Sequence, residues 1–206
     1  MLRRWGQVTT AVLIAFGFTA SPCWAGLEDL ARSGDWKRVL EIAARRADQL
    51  PLNPAEAMIA AQAARIISDP TAEARFLEIA TGADNEELRR LAEVQLAELV
   101  GANEPERAVA LSLPAFGREN PWQVRALAAE VSLSAVNTGI GPEQRAALEG
   151  SLRKLSRSLR RKLELTLAVS DSETGRDRLE RLLAASTRDL VALEAAEALN
   201  AFEQRT

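Results

Sequence analysis

From Trp36 to Leu50 the apolar side chains fall at Trp36, Val39, Leu40, Ala43, Ala44, Ala47 and Leu50. Steps of three and four place them on one face of an α-helix. After residue 26 no stretch alternates as a half-buried strand does, Tyr is absent, and Ala, Leu, Arg and Glu dominate, so the pattern predicts helices throughout. Breakers punctuate it: Pro51-Leu52-Asn53-Pro54, Asp69-Pro70, Gly82 to Asn85, Gly101 to Pro105, Glu119-Asn120-Pro121, Gly139 to Pro142 and Ser170 to Gly175. Proline stands at or near the expected helix starts, where its missing N–H costs nothing.

Between the breakers lie helices centred near residues 43, 76, 110, 147 and 181. A second set interleaves with them, carrying Ala60-Ala61-Gln62, Leu91-Ala92-Glu93, Leu127 to Glu130, the segment Arg160 to Val169, and Glu194 to Glu197. A period of about 34 residues with two helices per period is the mark of a helical repeat array, in which each pair buries its apolar face by stacking on its neighbours. The expected fold is therefore all-α, an α-solenoid of about five antiparallel helix pairs.

The first unit resembles a tetratricopeptide repeat, with Gly34-Asp35-Trp36 at the turn, Pro51 and Asn53 after the helix, and small Ala61 where the next helix crosses. The phrase Gln123 to Glu130 looks more like a HEAT repeat, and the choice between the two stays open. An Ala- and Arg-rich array of this style is also similar to the superhelical domain of soluble lytic transglycosylases. That resemblance implies docking to cell wall. The catalytic Glu-Ser context of those enzymes and their Gly-Leu-Met-Gln-like segment are absent here.

The start of the chain departs from this pattern. Arg3 and Arg4 precede an uncharged run, Val8 to Ala20, and Cys23-Trp24-Ala25 offers the small residues a signal peptidase reads. Thirteen residues are too few to span a membrane, which takes about 20. Residues 1–25 are read as a secretory leader and 26–206 as the mature helical repeat domain, exported to the periplasm. Pro22 stands where a lipobox has a small residue, so lipidation of Cys23 is the weaker reading.

Cleavage removes two of the 26 basic residues and none of the 29 acidic ones, which leaves a formal charge of −5. That balance argues against general nucleic-acid affinity. With no His, and its one Cys in the leader, the mature chain lacks the groups that nucleophilic triads and most zinc sites require. No catalytic residue, cofactor or metal is expected. Glu86/Glu87 and Glu194/Glu197 read as solvated helix faces, and Asp171 to Asp177 as a polar helix connection, since its glycine falls one position early for an EF-hand loop.

One segment breaks the even mixing of charge. Arg153, Lys154, Arg157, Arg160, Arg161 and Lys162 occur without an intervening acid, beside Leu148, Leu152, Leu155, Leu159 and Leu163. The pattern is a basic amphipathic helix, or two joined at Ser156 to Ser158, and these six cations are the candidate partner-binding residues. Trp36 and Trp122 are expected to pack between repeat helices, with a stacking platform as the alternative. On the last helix, Leu190, Val191, Ala195, Ala198, Leu199 and Phe202 form an apolar face that a partner or second copy would cover. Together these features predict an exported, non-catalytic scaffold that binds a protein partner in the bacterial envelope. The alternative is the wall-docking part of a transglycosylase-like enzyme without its catalytic domain.

Overall fold

The computed structural model describes residues 25–171, 174–185 and 190–203. The expected leader, with Cys23, lies outside them apart from Ala25. Among the described residues there are eleven α-helices, two short 3-10 turns and no strand. Packing divides the chain after Asp84 into two compact units.

The first unit holds α1 (Ala25–Ser33), α2 (Trp36–Ala47), α3 (Pro54–Ile67) and α4 (Pro70–Ala80). α3 is its centre, packing against α1, α2 and, most extensively, α4. It buries Met58 together with Ala57, Ala60, Ala61, Ala63 and Ala64, whose small side chains let neighbouring helices come close. Leu27, Val39, Phe76 and Leu77 fill the space around it. Each start is signalled locally: Asp35, Asn53 and Asp69 accept from the backbone N–H groups of Arg38, Ala55 and Ala72. Gly34, at φ 80°, makes the turn into α2 with no side-chain penalty.

Periodicity carried α2 too far. The helix ends at Ala47, and Gln49 and Leu50 both donate their N–H to the Arg46 carbonyl, at 2.9 and 2.8 Å. That tightened turn swings Leu50 off the buried face and leaves it 71% exposed.

The second unit holds α5 (Glu86–Val100), α6 (Pro105–Ser112), α7 (Trp122–Thr138), α8 (Pro142–Ser151), α9 (Arg157–Val169), α10 (Gly175–Ala185) and α11 (Leu190–Glu203). The 3-10 turns are Leu113–Phe116 and Leu152–Lys154. Alternate helices pack together, α5 on α7, α7 on α9 and α9 on α11, while α6 contacts α8. Each also touches chain neighbours: α6 packs on α5 and α7, and α10 on α9 and α11. Val94, Val109, Phe116, Leu148, Leu163 and Leu179 are fully buried.

Polar links set the helix ends. The Arg145 guanidinium donates to the carbonyls of Leu167 and Ser170, capping α9 from α8, and Glu106 on α6 accepts the Gly141 N–H ahead of α8. The apolar face expected on the last helix is largely engaged: Ala195 joins a cluster with Leu165, Ala168, Leu179 and Leu182, and Val191, Ala198 and Leu199 pack against it. Leu190 and Leu193 remain exposed, at 64% and 58%. No described helix is long and apolar enough to cross a membrane.

Candidate partner-binding surface

The basic segment is two elements rather than one helix. α8 passes into the turn Leu152–Lys154, whose end is tied by the Leu155 N–H to the Leu152 carbonyl at 3.1 Å. Ser156 then caps α9, its Oγ accepting from the Leu159 N–H at 3.5 Å. Leu148, Leu152, Leu155 and Leu163 are buried and Leu159 is half-buried, as the amphipathic pattern requires.

The six cations have three different surroundings. Arg161 is 6% exposed, and its Nη2 donates to the Leu182 carbonyl on α10 at 3.2 Å, so it ties two helices together inside the fold. Arg160 sits 3.8 Å from Glu164, one turn along α9, and Lys162 lies on another face, near Glu130 of α7. Arg153, Lys154 and Arg157 are exposed, and among the described residues no carboxylate pairs with them.

A groove of about 440 Å³ opens beside this segment, between α8, the 3-10 turn, α9 and α10. Its apolar lining residues are Leu152, Leu167, Leu182 and Ala185, and Glu149, Glu164, Arg178 and Arg181 are the charged ones. Arg157 and Arg160 share the face of α9 that carries Glu164 and Leu167, because residues three and four apart line up on a helix.

Both lining carboxylates are already engaged. Arg178 Nη1 donates to Glu149 at 2.5 Å across 29 residues of chain, and Glu164 faces Arg160. The Glu149 hydrogen bond, foremost, and the charges of Glu149 and Asp171 hold the Arg178 guanidinium protonated above its ordinary range, against the opposing effect of burial. Arg181 Nε donates only to the Asp177 carbonyl, so its charge stays uncompensated by any described carboxylate. Glu149, Arg178 and Arg181 carry no local sequence signature; folding alone brings them to one groove.

Elsewhere, partial burial is the main cause that raises the Glu130 carboxyl pKa, with Glu98 adding to it and Lys162 opposing it. Trp36 is half-buried, whereas Trp122 opens α7 with 67% of its surface exposed. Pro121 is the N-cap residue and Trp122 the first residue of the helix, and the exposed indole overturns the expectation of packing there. Asp171 caps the approach to α10 through the Thr174 N–H and hydroxyl, at 3.1 and 2.7 Å. Of the acidic pairs, Glu86 serves Arg90, while Glu194 and Glu197 are exposed. Among the described residues no His, Cys, Asp or Glu grouping is fit to hold a metal ion.

No protein-family model matches the chain, and no curated protein or solved structure is significantly similar to it.

Proposed function

We propose that the protein is an exported, non-catalytic helical-repeat scaffold that binds a protein partner in the bacterial envelope. The observation that carries this reading is the cluster Arg153, Lys154 and Arg157, exposed and unpaired in a chain that pairs so many of its other arginines. Charge held in water without a partner contributes little to folding and is free for recognition. Alternate-helix packing in the second unit is what stacked helix pairs of a solenoid require, and such stacks present a continuous surface to an extended or helical segment.

A photo-crosslinking residue at position 154 or 157, used in intact cells and followed by mass spectrometry, tests this reading. One dominant crosslinked protein supports it. Absence of any protein adduct overturns it.

The exposed Trp122 favours a second reading, docking of cell wall by indole stacking on sugar rings. Co-sedimentation with purified peptidoglycan that is lost in Trp122→Ala would select it.

A further inference from the structure

Charge bookkeeping around the groove leaves a residue of one sign. Glu149 and Glu164 are met by Arg178 and Arg160 from within the fold. Among the described residues, no carboxylate pairs with Arg181 on the lining, Arg157 on the Glu164 face of α9, or Arg153 and Lys154 on the turn that supplies Leu152. The groove thus combines a partly apolar lining with nearby cations that no described carboxylate pairs, on a protein whose mature charge is negative. A free anion or a lipid headgroup would use the cations and ignore the apolar lining. An amphipathic acidic segment would use both.

Resting on the scaffold reading, we infer that the groove between α8, α9 and α10 seats an apolar side chain of an acidic amphipathic segment of a partner protein, with that segment's carboxylates meeting Arg153, Lys154, Arg157 and Arg181. A volume of about 440 Å³ admits a leucine or phenylalanine side chain with part of its backbone. Arg181 lines the groove from α10, Arg157 stands on the helix face of α9 that carries Glu164 and Leu167, and Arg153 and Lys154 follow Leu152 in the turn. Carboxylates on the segment match these cations. Arg161 takes no part, because its guanidinium is spent on the Leu182 carbonyl.

The test is fluorescence anisotropy with a labelled glutamate-rich peptide carrying leucines at helical spacing, against the mature full chain. Saturable binding that weakens as salt rises is expected. Replacing the peptide leucines by serine, or reversing charge in the double variant Arg157→Glu/Arg181→Glu, is expected to weaken binding at least tenfold. Ala185 is an exposed residue of the lining, so Ala185→Trp fills the groove without opening the core, and it is expected to weaken binding as much with all cations in place. Lys37→Glu/Arg38→Glu, on exposed cations of α2, is expected to leave binding unchanged. Thermal melts show that each variant is folded.

Peptide binding indifferent to these substitutions, or no peptide binding, overturns the inference. So does capture by phosphatidylglycerol vesicles, through the same cations, in place of the peptide. Any of these together with a protein adduct at position 154 or 157 removes the groove alone. Their occurrence with no protein adduct removes the scaffold reading as well.

Discussion

The contacts around α3 and the segment 153–157 use basic side chains differently, although the α8–α10 region also pairs Arg178 with Glu149. In the first unit Arg65 on α3 meets Glu73 on α4 at 2.5 Å, Arg46 on α2 meets Glu56 on α3 at 2.9 Å, and Arg75 reaches Asp48 at 2.9 Å. Each joins two elements across the chain. In the second region three cations in a run of five positions, 153–157, have no carboxylate partner among the described residues, and a fourth, Arg181, lines a groove. Where a carboxylate is supplied across a helix contact, arginine stabilises the fold. Where none is supplied, the same residue type is left to act on something outside the chain.

Substitutions separate the two uses. The largest effect is expected for Arg65→Met, which takes the guanidinium away from the Glu73 carboxylate, 7% exposed in its side chain, among packed helices. Breaking a fully buried pair costs about 3–5 kcal/mol, and this partly open one should cost roughly 2–3 kcal/mol in urea unfolding. Arg161→Met comes next. It leaves the Leu182 carbonyl without its donor and should cost about 1–3 kcal/mol, which places Arg161 with the structural arginines despite its position in the basic run.

Glu130→Gln should produce a smaller change with the opposite sign. The folded-state pKa of Glu130 is raised, chiefly by burial, so the fold disfavours its ionised form. That penalty is complete above the raised value and disappears as pH falls through it toward the unfolded value. The variant should therefore melt slightly higher than the parent at neutral pH, and the difference should vanish on acidification. Glu130 is exposed overall, so the gain is small.

The smallest stability effect is expected for Arg157→Glu, within about 0.5 kcal/mol of the parent. A large loss of stability there would mean that Arg157 belongs with Arg65 and not with a contact surface. Acrylamide quenching gives an independent check on exposure: in the segment 26–206, Trp122→Phe should remove most of the readily quenched emission, and Trp36→Phe should not.

Much of the helix map was legible in advance. Pro54, Pro70, Pro105 and Pro142 each open a helix, and Asp35, Asn53, Asp69 and Asn85 cap one. These signals act within three or four residues, so they survive without tertiary context. The end of α2 was misread because a local turn through Arg46 overrode the apolar period. The basic segment was legible as composition, but its division into a buried Arg161, a paired Arg160 and an unpaired Arg157 was not.

By itself, the sequence determined where helices begin, which faces are apolar and where positive charge accumulates, because capping, periodicity and charge are properties of neighbouring residues. Only the tertiary structure decided which arginines find carboxylates and which face water, and that Leu152, Glu149 and Arg181 share a groove. Those outcomes depend on residues about 30 positions apart in the chain being brought to within hydrogen-bonding distance, as Arg178 and Glu149 are across 29. Helical periodicity says nothing about which distant turn will stand opposite, since that is settled by how α8, α9 and α10 pack.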